Sequence, residues 1–219
     1  MRTRSKSQIA RPSAAEAAAL EAACLALDAG ELVVYPTETF YALGADATAP
    51  AALERLFAVK RREPGKPVAL IVADLKMARR TVGEMPPAAR RLARAFWPGP
   101  LTMVLPARRG ELPPALIGAG GGVGLRISSH PTARMLARRL GRPLTATSAN
   151  LSGRPPASTV GQARAALGER VKVYLDGGTL GAVPASTVVT FEGNRLRVLR
   201  AGPISRRALA AALVDRVPV

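Results

Sequence analysis

Apolar and polar positions fall into short alternating blocks along the chain. Ser13-Ala-Ala-Glu16 is a capping-box pattern, followed by an Ala- and Leu-rich stretch to Asp28 with Gly30 just beyond, which predicts a helix. Leu32 to Tyr35 predicts a short apolar strand that breaks at Pro36. Pro50 opens a second helix through about Arg61, and Val68 to Ala73 reads as another apolar strand. Helices are predicted around 75–82 and 87–96, the second ended by Trp97-Pro98-Gly99-Pro100. Strands follow at 101–105, 123–128, 143–147, 171–175, 186–191 and 195–200, and helices at 131–140, 158–167 and 204–214. The Gly/Pro-rich segment 106–122 reads as a mobile loop or hairpin within a domain. Helices alternate with strands, several of them continuously apolar. The pattern therefore predicts a mixed α/β fold, a sheet covered by helices. With no internal repeat and no long polar linker, residues 13–219 read as one domain. Residues 1–12 (MRTRSKSQIARP) read as a basic, flexible arm.

Composition narrows this little. At 219 residues, with 48% hydrophobic and 21% charged residues, the chain can bury a sizeable core. No apolar run is long enough to predict a membrane span, and the arm lacks the apolar centre of a secretory signal. The single cysteine, Cys24, has no partner for an internal disulfide. It lies in an apolar helix as a small core residue, and a reducing cytoplasm is the expected location.

Charge changes the picture more. The formal net charge is +17, and all but five of the 32 basic residues are arginine. That favours anionic partners such as nucleotide, RNA or phosphorylated small molecules. Scattered surface arginine needs no ligand, however, so charge alone leaves nucleic-acid contact open. The local bunching in KRREPGKP, residues 60 to 67, is more specific.

Three stretches fall at predicted strand ends, where α/β proteins build ligand sites: YPTETFYALG (35–44), KRREPGKP and SANLSG (148–153). A serine nucleophile at Ser148 or Ser152 would need a base. The only histidine, His130, sits in RISSHPTA just before a predicted helix, where a cap or turn role is the ordinary one. One Cys and one His exclude a Cys/His zinc site, and Glu38, Asp46, Asp74 and Asp176 form no sequence cluster, so no metal-ligating residues are expected. Glu38, between two threonines, reads as part of a turn that satisfies backbone donors. Anion holding fits better. The run TATSANLSGRPPAST (145–159) offers hydroxyls, the Asn150 amide and backbone N–H groups before a helix, while Lys60 and Arg62 add charge. Neither GxxxxGK[ST] nor a GxGxxG after a strand is present, so any nucleotide is held by a different architecture. Taken alone, the 145–159 loop is better explained as a well-capped turn. Lys60 is expected to be exposed, so that Lys60→Ala weakens anion holding and leaves the fold intact.

Taken in order, YPTETFYALGADA, KRREPGKPVALIVAD, FWPGPLTMVL, VGLRISSHP, SANLSGRPPAST, PASTVV and VLRAGPIS resemble the motifs of the YrdC/Sua5 family in its short form, from Glu31 to Ser205. The resemblance implies a twisted mixed sheet with helices on its faces around a basic concave cavity. It implies that L-threonine, bicarbonate and ATP, with Mg²⁺, give threonylcarbamoyl-adenylate and pyrophosphate. That product serves the N6-threonylcarbamoyl modification of adenosine 37 in tRNA, through a downstream transferase complex. Lys60, Arg62, Ser148, Asn150 and Arg200 match positions that bind ATP or the adenylate, and Lys66 matches another on the nucleotide side. Lys60 and Arg62 are the expected catalytic pair. Thr37, Arg126 and Ser186 match positions around the threonine, and the Arg126 fork suits a carboxylate. The chain departs from the family pattern at Phe40, Ala42, Arg61-Arg62-Glu63, Ser128 and Thr147, and the Phe40 ring is expected to narrow the threonine side. Two alternatives stand beside this reading: an RNA-binding module, and a carbamoyl-adenylate-forming enzyme of the same fold. The chain has only eight aromatics and no RRM-like aromatic pattern, which disfavours the first, although weak tRNA contact is compatible with the enzyme.

Overall fold

The computed structural model describes residues 13–61, 68–181, 183–193 and 195–214. The arm at 1–12 and most of KRREPGKP, including Arg62 and Lys66, lie outside the described residues.

Among the described residues, seven α-helices follow their sequence signals closely. Helix α1 (Ala14–Asp28) starts on the reciprocal cap of Ser13 and Glu16. Helix α2 (Pro50–Lys60) has proline in its first turn and ends at Arg61, whose φ of 49° is left-handed. Asp74 caps α3 (Leu75–Val82), accepting from the Met77 N–H at 2.9 Å. Helix α4 (Pro87–Phe96) stops at Trp97, and α5 (Pro131–Leu140) stops at Gly141, which takes the left-handed conformation that a Cβ would strain. Thr159 and Gln162 form a second capping box on α6 (Val160–Leu167), and Ser205 caps α7 (Arg206–Leu213).

The strands form two sheets rather than the single sheet expected. The smaller sheet contains β1 (Val33–Tyr35), β2 (Ala42–Gly44), β7 (Thr147–Ser148) and β8 (Val173–Tyr174), in the order β7-β2-β1-β8. The larger contains β3 (Leu70–Ile71), β4 (Leu101–Pro106), β5 (Gly122–Arg126), β6 (Leu144–Thr145), β9 (Thr187–Glu192) and β10 (Arg195–Arg200), in the order β10-β9-β4-β5-β3-β6. Both mix parallel and antiparallel pairs. The split falls inside the predicted 143–147 strand. Thr145 ends β6 in one sheet, Thr147 begins β7 in the other, and Ala146 between them donates to Ala69 O at 2.7 Å. Thr145 sews the seam: its N–H donates to Ala45 O at 3.0 Å, its hydroxyl accepts from Ala45 N–H at 2.8 Å, and its carbonyl accepts from the buried Tyr35 hydroxyl at 2.7 Å. The segment 106–122 is a hairpin connection with a 3₁₀ turn at Pro114–Leu116.

Alternation along the larger sheet separates core from site. Leu101, Met103, Val123, Leu125 and Val189 point into a hydrophobic core shared with α1, α3, α4, α5 and α7. The opposite face carries Thr102, Gly122, Gly124, Arg126, Val188 and Thr190, which are small or polar. A second cluster packs α2 and α6 on the smaller sheet through Leu32, Val34, Leu43, Leu56 and Leu167.

Candidate active site

That polar face floors a cavity of about 690 Å³, a size usual for small-ligand sites, with its other wall built by the smaller sheet and the seam. Thr37, Ser148, Ser186, Arg126 and Arg200 line it together, although they come from five separate stretches of sequence. Among the described residues its lining includes two guanidiniums and no carboxylate.

Thr37 sits on the loop after β1 and organises that loop with its hydroxyl. The hydroxyl donates to Phe40 O at 2.7 Å and accepts from the N–H groups of Thr39 and Phe40. The turn chemistry expected of Glu38 therefore belongs to Thr37. Glu38 reaches across to the segment just after β5, where its Oε2 accepts from the Ser128 hydroxyl. Arg126, the last residue of β5, is 6% exposed. Its Nη1 lies 3.5 Å from Thr39 Oγ1 and 3.7 Å from Glu38 Oε1.

At the opposite side of the floor, Arg200 ends β10 and grips the residue before β9. Its Nε and Nη2 donate to Ser186 O at 3.1 and 2.9 Å, and Nη2 also reaches Ser186 Oγ at 3.1 Å. Ser186 Oγ lies 2.8 Å from Thr102 Oγ1. Gly202 makes this approach possible, because a Cβ there would sit 2.4 Å from Ala185 O and Thr187 N. Burial pushes the Arg200 guanidinium below its ordinary pKa, and the positive charge of Arg126 pushes the same way. Buried Arg126 and the more exposed Arg200 thus face one cavity from its two sides, and two like charges there favour an anion between them.

Lys60 differs from its expectation. It is 1% exposed, at the end of α2, because the 148–150 segment covers it. Its Nζ donates to Ser148 O at 2.5 Å, Asn150 O at 2.8 Å and Asn150 Oδ1 at 3.1 Å. An ammonium has three protons to donate, and these acceptors engage it from the loop side. Lys60 thus packs behind the cavity wall rather than on it. Asn150 is also engaged within the loop. Its Oδ1 accepts from Ser148 Oγ at 2.5 Å and its Nδ2 donates to Arg154 O. Asn150 lines a second, smaller hollow of about 400 Å³ on the far side of the loop.

Neither Ser148 nor Ser186 hydrogen-bonds to His130. His130 precedes α5, its backbone N–H donates to Ser128 Oγ at 3.1 Å, and burial pushes its imidazole below the ordinary value. Burial raises the Cys24 thiol, as suits a core residue. Among the described residues no group of three or more His, Cys, Asp or Glu is placed to hold a metal, and no helix is long and apolar enough to cross a membrane. Sequence reasoning passed over Thr39 and Thr102, although both lie in stretches that it had singled out, PTET and FWPGPLT.

Among the described residues, two sheets joined at a seam enclose a basic cavity of hydroxyls and guanidiniums with no nucleophile–base pair, which defines an α/β protein suited to anionic substrates. Comparison with known proteins places it more narrowly. Residues 25–202 match the Sua5/YciO/YrdC family model, which carries the description "Telomere recombination". A relative from Mycobacterium tuberculosis is 43% identical over 188 residues, 86% of each chain. A Vibrio cholerae protein named threonylcarbamoyl-AMP synthase is 38% identical over 185 residues, 84% of this chain and 97% of its own. The crystal structure of P. abyssi Sua5 complexed with L-threonine superposes with a TM-score of 0.85 at 31% identity, covering 90% of this chain and 58% of that one. This chain belongs to the Sua5/YciO/YrdC family.

Proposed function

We infer that this protein joins L-threonine, bicarbonate and ATP into threonylcarbamoyl-adenylate, releasing pyrophosphate and water. The carrying observation is the cavity itself, which gathers Thr37, Arg126, Ser148, Ser186 and Arg200 around one space and offers charge and hydroxyls but no nucleophile with a base. The relatives named threonylcarbamoyl-AMP synthase support the same reading, as does the threonine complex of P. abyssi Sua5.

The threonine amine adds to the bicarbonate carbon and water leaves, giving a carbamate. A carbamate oxygen then attacks the α-phosphorus of ATP, and pyrophosphate departs in line. Such a transfer needs positioning and charge neutralisation more than a strong base. Arg126 offers its planar fork to the threonine carboxylate, with Thr37 and Ser186 beside it. Ser148 and Arg200 face the nucleotide. Lys60 and Asn150 hold Ser148 in place, and Lys60 adds positive charge behind the phosphates. Arg62 and Lys66 keep the nucleotide-side roles that the motif resemblance implies. Glu38 is the carboxylate nearest Arg126, and Ser128 and Arg126 already engage it. Mg²⁺ enters as part of the ATP substrate.

The product supplies a transferase complex that modifies adenosine 37 of tRNA, which sets the protein in the cytoplasm and makes weak tRNA contact compatible with its charge. The test mixes purified protein with ATP, Mg²⁺, L-threonine and ¹³C-bicarbonate and reads the quenched products by mass spectrometry. Labelled threonylcarbamoyl-adenylate that vanishes when threonine is omitted is the expected result. Adenylate formed only from carbamoyl phosphate would make this a carbamoyl-adenylate enzyme. Salt-sensitive RNA binding with no adenylate would make it a binding module.

A further inference from the structure

Glu38 has no part in the chemistry described so far, yet it is tightly built in. Its side chain is 14% exposed and stands behind the threonine end of the cavity. Ser128 Oγ accepts from His130 N–H, so its single proton is free for Glu38 Oε2, which accepts it. The other oxygen, Oε1, is buried and accepts no hydrogen bond among the described residues. Its neighbour is Arg126 Nη1 at 3.7 Å. A buried pair at that distance, without a hydrogen bond, recovers little of its desolvation cost, so fold strength is a poor explanation for it. It does, however, restrain a long side chain whose charged end must wait in a defined place. Thr39 Oγ1 touches the same Nη1 at 3.5 Å, so both contacts meet one edge of the guanidinium.

The geometry points to Glu38 as a positioning residue: anchored by Ser128, it holds Arg126 by its Nη1 edge and leaves the rest of the fork turned to a substrate carboxylate. This rests on the assignment of Arg126 to the threonine carboxylate. It carries a signature that a merely structural role lacks. By charge alone, removing a carboxylate beside an anion site would tighten threonine binding; loss of positioning predicts the opposite, weaker threonine binding with ATP binding unimpaired.

The experiment measures L-threonine and ATP separately by calorimetry on the full chain, and KM for each in the adenylate assay, for wild type, Glu38→Gln, Glu38→Asp and Ser128→Ala. Glu38→Gln should raise the threonine Kd about tenfold and leave the ATP Kd unchanged or tighter. Ser128→Ala should move threonine the same way by a few-fold, and Glu38→Asp should restore part of the loss. Equal loss of both ligands, or wild-type threonine affinity in the Gln and Ala variants, overturns the inference while leaving the proposed activity standing. If Glu38→Gln does not fold, Ser128→Ala decides. A wild type that binds no threonine and makes no adenylate overturns the proposed activity and this inference with it.

Discussion

Lys60 and Arg126 are both nearly inaccessible cations beside one cavity, and the protein treats them in opposite ways. Lys60, at 1% exposure, has acceptors on Ser148 and Asn150 within 3.1 Å among the described residues. Arg126, at 6%, has contacts at 3.5 and 3.7 Å only along one edge, and it lines the cavity. The first cation has spent its hydrogen-bonding capacity on the fold. The second keeps capacity in reserve for a ligand. Burial alone therefore does not mark a functional charge. The number of donors still uncommitted does.

The sharpest way to break this contrast is Lys60→Ala. Removing the ammonium strands buried acceptors at the seam loop and should cost about 2–4 kcal/mol, read as a lower urea midpoint, with activity lost alongside. An unchanged midpoint with only ATP affinity reduced would make Lys60 a ligand group like Arg126. Arg126→Ala should do the reverse. The threonine KM should rise about 30- to 100-fold, equivalent to about 2–3 kcal/mol, with a smaller effect on ATP and a smaller midpoint shift than Lys60→Ala. If both substrates suffer equally, Arg126 is not the amino-acid group.

Gly202→Ala tests the wall opposite. Its methyl would meet Ala185 O and Thr187 N at 2.4 Å, so Ser186 must move, at about 1–3 kcal/mol by unfolding and with reduced turnover. A neutral substitution would show that Arg200 and Ser186 are placed without that close approach. The smallest effect concerns His130 behind Glu38. Burial is the main cause that holds its folded pKa below the ordinary 6.5, with Arg134 adding to it and Glu38 opposing. The unfolded chain then binds more protons as pH falls through 6.5, so His130 stabilises the fold fully above that value and progressively less below it. Between about pH 7 and pH 5 the wild-type midpoint should therefore fall slightly more than that of His130→Gln. Equal slopes would show that the imidazole titrates alike in both states.

Helices were the most legible part of the chain. The predicted ranges 75–82, 87–96 and 131–140 coincide with α3, α4 and α5, since proline, caps and terminating glycine are all local signals. Strands were less so. The 68–73 run is regular strand only at Leu70–Ile71, and β2 was not predicted at all, because three apolar residues after a loop carry no period of their own. At the site, Thr37, Ser148, Ser186, Arg126 and Arg200 were named from motifs and do meet. Lys60 was named too but misjudged as exposed, because its burial depends on a segment ninety residues away.

Local chemistry in the sequence determined the helix limits, the mixed α/β class and the stock of hydroxyls and guanidiniums, since each depends on neighbours within a few residues. The tertiary structure alone decided that the strands divide into two sheets at Ala146. It decided that one face of the larger sheet becomes a cavity floor, and that one buried cation is spent while another is held ready. Those outcomes come from long-range pairing and desolvation, and both depend on which distant segment covers which side chain.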